Sequence, residues 1–353
     1  MTHQRRWLKF FGGLVVASAV LLGAELTLRS TVDENELLLA WERSNGEMTI
    51  DPRSGMLNLR RNTKIARGDG HYMWEATLNG QGLRANGEWP RSRQPGVPRW
   101  MLLGDSWAYG VSTRQEAALA TRLEGALARQ LGVARVEVVN TGVPGASAWD
   151  VRARWHALAD QIDVDGVVLK IPANRGSAAL RDARRSQRPP PPGYLLRGVR
   201  RAVLGLVMLR DDPWRSDPVP AGEDLDEILA LIREIRARQL PVVALVAPQD
   251  RADATRHAQA RGTPDEPNTA VSQRWAHWSR ALEPTGAWIA GHALPERSCF
   301  GYVDQAHPSE RGAVVLAETV ASRVALGRWW PALAYEPRCS DVQGVTAPTN
   351  ADP

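Results

Sequence analysis

Trp100-Met101-Leu102-Leu103-Gly104-Asp105-Ser106 follows a proline-rich, polar stretch that ends at Pro98. An apolar run of strand length, closed by a glycine and two small polar residues, predicts a buried β-strand, Trp100–Gly104, that delivers Ser106 at its carboxyl end. A helical pattern comes next, from about Gln115 to Leu131, with Leu119, Leu123, Leu127 and Leu131 on one stripe and Gly132 as the stop.

The same alternation continues downstream. Val136–Val139, Gly166–Ile171, Pro241–Ala247 and a short Ala287–Ala290 predict further strands. Helices are expected near Trp149–Gln161 (Val151, Trp155, Leu158 on one face), Asp224–Gln239 (Leu225, Ile228, Leu229, Ile232, Ile235) and Ser309–Leu326 (Ala313, Leu316, Val320, Val324). Strands alternating with helices predict an α/β protein, a three-layer α/β/α sandwich around a parallel five-stranded sheet.

The domain plan follows from breaks in this rhythm. Residues 98–328 form the expected α/β domain, interrupted by an Arg- and Pro-rich insert at 175–222 that contains Pro189 to Pro192 in a row. Within the insert, Tyr194–Arg210 fits a basic amphipathic helix, read either as a lid or membrane-surface element or as an insertion packed on the domain edge. Residues 30–97 are polar, punctuated by Gly and Asn, and read as an extended stalk with short strands. Residues 329–353 read as a C-terminal tail.

The N-terminus carries an address. Arg5, Arg6 and Lys9 precede an apolar run from Phe10 to Ala24, then Glu25 and a short apolar stretch to Leu28. Positive charge before an apolar core marks a secretory signal or a signal anchor. Cleavage after Ala24 would place bulky Leu22 where a small residue is preferred, and Ala17-Ser18-Ala19 lies inside the run. These features favour an uncleaved transmembrane anchor over residues 1–29, with everything after residue 30 outside the cytoplasm by the positive-inside rule. A cleaved signal peptide is the competing reading.

Composition limits the rest. An apolar fraction of 43% excludes wholesale disorder. The net charge of +5 is nearly all arginine, spread along the chain without a basic-aromatic recognition motif, so no nucleic-acid partner is expected. Cys299 and Cys339 lack zinc-site spacing and fit either a disulfide outside the cytoplasm or two buried thiols. His71, His156, His257, His277 and His292 have no metal-ligand spacing with carboxylates, and there is no phosphate-binding or dinucleotide-binding glycine loop. No metal or organic cofactor is expected.

The chemistry-bearing residues lie at strand ends. A serine needs a base to take its proton, and the base needs an acceptor to fix its tautomer. Asp304-Gln305-Ala306-His307-Pro308, just before the last helix, supplies both on one loop. His292, after the short fifth strand, is the rival base. Gly104-Asp105-Ser106 alone fits a helix N-cap serine equally well, and it is not a G-x-S-x-G elbow, because position 108 is Ala. Trp107 fits an acyl-pocket wall and a packed core residue alike.

Taken in order, these blocks resemble the SGNH (GDSL-type) hydrolase superfamily over about residues 98–327. Ser106 matches the nucleophile block; Asn140-Thr141-Gly142-Val143-Pro144-Gly145 resembles the glycine block; Asn174 stands where the asparagine is expected; Asp304 and His307 match the last block. The resemblance implies a flavodoxin-like SGNH fold and a serine esterase with the triad Ser106, Asp304 and His307. It also implies an oxyanion hole formed by the Ser106 and Gly145 N–H groups and the Asn174 amide, each donor typically worth ~10²–10³ in rate. One departure is plain: Pro172-Ala173-Asn174-Arg175 stands in place of Gly-x-Asn-Asp. The expected partners are a small-molecule or glycan ester substrate and the membrane, through the N-terminal helix. An acyltransferase with the same triad and a catalytically silent glycan-binding protein are the alternatives.

Overall fold

A computed structural model of the chain describes residues 2–32, 47–51, 53–68, 73–111, 113–172, 184, 193–199, 223–246, 278, 280–290 and 308–326. Two units divide it, Met1–Gly55 with Ser177–Asp212, and Met56–Gly176 with Pro213–Pro353.

In the first unit, helix α1 (Thr2–Thr31) is long and apolar enough from Gly13 to Thr31 to cross a membrane. Leu14, Val16, Val20, Leu22 and Leu26 are all exposed on it. Glu25 interrupts this apolar surface. Its carboxylate accepts the backbone N–H groups of Tyr194 and Leu195 (2.9 and 2.7 Å) and pairs with Arg29 at 2.8 Å. Residues 194–199 are helical, within the segment expected to be amphipathic, and expose Leu196 and Val199. Strand β1 (Met48–Ile50) belongs to this unit.

The second unit begins with β2 (Leu57–Leu59) and an antiparallel hairpin, β3 (Thr63–Gly68) and β4 (Met73–Leu78). The parallel sheet comprises β5 (Arg99–Leu103), β6 (Glu137–Asn140), β7 (Gly166–Lys170), β8 (Val242–Leu245) and β9 (Trp288–Ala290) in the spatial order β6-β5-β7-β8-β9. β5 to β8 are buried throughout. Continuous burial is why their sequences are apolar runs instead of alternating patterns.

Helices α2 (Ser106–Tyr109), α3 (Leu119–Leu131), α4 (Ala148–Leu158), α5 (Glu223–Ala237) and α6 (Glu310–Leu326) complete the layers. α3 and α6 pack together over one face, where Leu119, Leu123, Leu127, Leu316 and Val320 meet Trp100, Leu102, Val168 and Val243. α4 and α5 pack together on the other side. The result is the expected three-layer sandwich with a five-stranded parallel sheet. Two stripes differ in detail from the sequence pattern. Leu131, the last residue of α3, is exposed, and Leu231 is fully buried in α5 where Leu225 and Leu229 are half-buried.

Residues 56–97 are held to this sandwich by arginines. Arg154 of α4, 5% exposed, donates to Asn58 Oδ1 (2.8 Å) and to the Gly82 carbonyl (2.6 Å), and its burial pulls the guanidinium down to about 10. Asp150 caps α4 together with Ser147 and also accepts the Leu57 N–H at 3.2 Å. Arg84, 2% exposed, donates to the carbonyls of Tyr109, Gly110, Thr113 and Glu75 and to Gln115 Oε1. One planar fork thus satisfies the carbonyls of the turn that follows α2. Arg84→Leu keeps the bulk and strands those carbonyls. It is expected to lower unfolding free energy by about 3 kcal/mol or more, measured by urea denaturation against wild type.

Candidate active site

The strand order reverses direction between β5 and β7: the chain leaves β5 towards β6 on one side and returns to β7 on the other. In open parallel sheets, such a switch point leaves a crevice at the carboxyl ends of the two strands, where ligands bind. β5 ends at Leu103 and leads through Gly104 and Asp105 into Ser106, the first residue of α2.

The turn is built to present that serine. Asp105 is the N-cap, its carboxylate accepting the Trp107 N–H at 3.1 Å, and Gly110 closes α2 in the left-handed conformation. Asp105, Trp107, Ala108 and Tyr109 are buried, whereas Ser106 between them is partly exposed. Its N–H lies in the first turn of a helix and has no intrahelical acceptor. Neither this N–H nor the hydroxyl makes a hydrogen bond among the described residues. Trp107 is 8% exposed and packs in the core cluster under α3 and α6, which decides its role in favour of packing.

The glycine block is joined to this turn by backbone and side-chain bonds. Thr141 N–H and hydroxyl both donate to the Leu102 carbonyl (3.0 and 2.8 Å), and Val143 N–H donates to that of Gly104 (3.1 Å). Asn140 Nδ2 donates to Tyr109 O at 3.2 Å, while Asn140 Oδ1 accepts the Gly142 N–H at 3.0 Å. Gly142 touches the nucleophile turn so closely that an added Cβ would lie 2.2 Å from Tyr109 N. Gly145 follows at φ +74, partly exposed, its N–H without a hydrogen bond among the described residues. Two N–H groups without a hydrogen bond among the described residues therefore belong to loops locked to one another.

Of the remaining sequence-predicted residues, Asn174, Asp304 and His307 lie outside the described residues, as do His292, Cys299 and Cys339. Their chain neighbours are informative. Asn174 follows β7, the other strand of the switch point. Three residues after His307, Glu310 opens α6 and pairs with Arg114, Oε1 to Nε at 2.8 Å and Oε2 to Nη2 at 2.9 Å. Ser309 caps the same helix, accepting the Gly312 N–H at 3.2 Å. The chain beside His307 is thus tied to the loop that follows the nucleophile helix.

Three residues with evident roles here escape a reading of the sequence alone, and a fourth does not. Gly142 is hidden by its more visible neighbour Gly145, and Arg114 and Glu310 pair across the whole domain with no local pattern. Lys170 is the exception. A lysine in an otherwise apolar strand, Gly166-Val167-Val168-Leu169-Lys170-Ile171, is an anomaly visible without coordinates. Among the described residues, no group of His, Cys, Asp or Glu has the geometry to hold a metal ion.

A sequence model of the GDSL-like lipase/acylhydrolase family matches residues 102–315. No curated protein sequence matches the chain. Among solved structures, it is similar to a psychrotrophic esterase from Pseudoalteromonas sp. (13% identity, 65% of this chain and 97% of that one, TM-score 0.39). It is also similar to a lipase/acylhydrolase from Enterococcus faecalis (16% identity, 67% and 100%, TM-score 0.39). A third is a two-domain esterase active on acetylated mannans (12% identity, 68% of this chain and 52% of that one, TM-score 0.41).

The two glycines of the block have different jobs. Gly145→Ala meets nothing closer than Leu57 Cδ1 at 4.0 Å and pays only for its positive φ, about 1–2 kcal/mol. Gly142→Ala collides with backbone of the nucleophile turn. Thermal unfolding is expected to fall much further for Gly142→Ala than for Gly145→Ala.

Proposed function

Because the chain belongs to the GDSL-like lipase/acylhydrolase family, we propose that it is an extracytoplasmic serine esterase that forms an acyl-enzyme on Ser106. The observation that carries this reading is the isolated exposure of Ser106 at the carboxyl end of β5, its hydroxyl and N–H both without a hydrogen bond among the described residues and set between buried neighbours. In the reaction, Ser106 Oγ attacks the ester carbonyl while His307 takes the hydroxyl proton and Asp304 orients the imidazole. The tetrahedral oxyanion is received by the N–H groups of Ser106 and Gly145 and by the side-chain amide of Asn174. Collapse expels the alcohol, protonated by His307. Water, deprotonated by the same imidazole, then releases the acid. This route calls for neither metal nor organic cofactor.

Residues 98–328 are taken as the hydrolase domain, with 175–222 as an insert and 1–29 as a membrane anchor. Support for the anchor comes from the apolar, exposed surface of α1 and from Arg5, Arg6 and Lys9 before it, which orient the rest of the chain outward. A domain held at the cell surface meets O-acylated glycans first, and short O-acyl groups on such glycans are the proposed substrate class.

Wild-type protein is expected to be labelled by a fluorophosphonate probe and to release acid from short-chain aryl esters and from acetylated polysaccharide without any sugar acceptor. Ser106→Ala should abolish labelling and hydrolysis, and Asn174→Ala should cost about 10²–10³ in kcat. Equal labelling of Ser106→Ala would overturn the assignment, and turnover that requires an acceptor sugar and yields acylated sugar in place of free acid would point to group transfer. The anchor has its own check: the chain should stay with membranes through an alkaline carbonate wash, and a form starting at residue 33 should not.

A further inference from the structure

Directly beneath the nucleophile turn lies an ion pair that esterolysis by the triad does not use. Lys170 Nζ is 2.7 Å from Asp105 Oδ2, and the two side chains are 0% and 1% exposed. The lysine nitrogen also stands 5.0 Å from the centre of the Trp107 ring. Lys170 is the last residue of β7, Asp105 the residue between β5 and Ser106. The pair therefore bridges the two strands that flank the switch point, and the backbone packs closely around it: a Cβ on Gly104 would lie 2.9 Å from Lys170 Cβ.

The carboxylate of Asp105 has divided duties. Oδ1 accepts the Trp107 N–H and Oδ2 accepts from Lys170. A buried carboxylate deprived of the Lys170 ammonium would seek other donors. Ser106, the next residue in the chain, carries an N–H and a hydroxyl, the two groups that attack and oxyanion binding require to be free. With the Lys170 charge gone, the carboxylate would also oppose the negative oxygen that develops one residue away.

We propose that Lys170 is a positioning residue for the esterase reaction, one that holds and neutralises Asp105 so that Ser106 keeps its hydroxyl and N–H for the substrate. The proposal rests on the reading of Ser106 as the nucleophile. It makes the lysine necessary only as long as residue 105 is an acid. Asn at 105 retains an oxygen to cap Trp107 N–H and carries no charge, so it removes the need for the cation.

The test compares wild type, Lys170→Met and the double variant Lys170→Met/Asp105→Asn, using p-nitrophenyl acetate and a fluorophosphonate probe, with the folded fraction set by near-UV circular dichroism. Lys170→Met is expected to lower kcat and the labelling rate by about 10²-fold with KM within about threefold. The double variant is expected to fold and to return kcat to within about tenfold of wild type. That rescue is a readout that mere filling of space by the lysine would not give, and it serves equally if the single variant does not fold. A Lys170→Met protein with wild-type kcat overturns the proposal. So does a folded double variant as impaired as the single one, or a double variant that cannot fold, since the pair would then serve stability alone. Absence of labelling in the wild type defeats the nucleophile assignment itself, a separate outcome.

Discussion

A strand buried on both faces has no water to satisfy its backbone, so β5 must exchange every N–H and C=O with protein. β6 and β7 supply that exchange in parallel, on opposite sides. Parallel neighbours on both sides send the connecting chain away in two directions, and the carboxyl edge between them cannot be filled by either connection. The crevice is therefore a consequence of hydrogen-bond satisfaction, not an added feature. Ser106, the glycine block and the segment leading to Asn174 all leave the sheet at that edge.

What makes the edge rigid is a second layer of satisfaction. The carbonyls of Leu102 and Gly104, at the end of β5, receive their partners from Thr141 and Val143. The carbonyls of the turn after α2 receive theirs from Arg84. A solvated surface is the ordinary fate of arginine, yet Arg84, Arg99 and Arg154 are buried, each with its guanidinium spent on carbonyl oxygens or a carboxylate. A lysine in those places would offer a point charge in place of a fork and leave acceptors unpaired. The arginine-rich composition is thus partly structural, and it is one means by which residues 56–97 are bound to the sandwich.

The layers of the fold were legible because they rest on local periodicity. Leu119, Leu123 and Leu127 repeat at helical spacing, and Trp100 to Leu103 form an unbroken apolar run; both patterns survive without knowledge of any partner. Ser106 and Gly145 were singled out differently, by the resemblance of their blocks to a family pattern and by no period. The Arg114–Glu310 pair, the Arg84 fork and the contact of Gly142 with Tyr109 were not legible. Each joins segments far apart in the chain, and a long-range hydrogen bond leaves no periodic trace at either end. The short strands before Pro98 were only dimly visible, since Leu57 and Leu59 alternate over too few residues to distinguish a strand from a polar loop. Lys170 is a charge in an apolar strand that the sequence displays without explaining, since its meaning requires Asp105.

The two halves of the candidate site are fastened with unequal strength. Ser106 and Gly145 sit on loops connected by several buried hydrogen bonds, in a region packed so closely that a Cβ at Gly142 would collide with the backbone of Tyr109. The chain next to His307 is tied through Arg114 and Glu310, whose side chains are 41% and 21% exposed, and a pair so open to water contributes little to holding a geometry. Catalysis by positioned groups is sensitive to small displacements. Under the proposed mechanism the oxyanion donors sit on the rigid loops and the base belongs to the segment just before α6, beside this exposed pair, so the tolerance falls to the group that must move between accepting a proton and returning it. Precision is then concentrated where charge develops, at the strand end the sheet itself fixes.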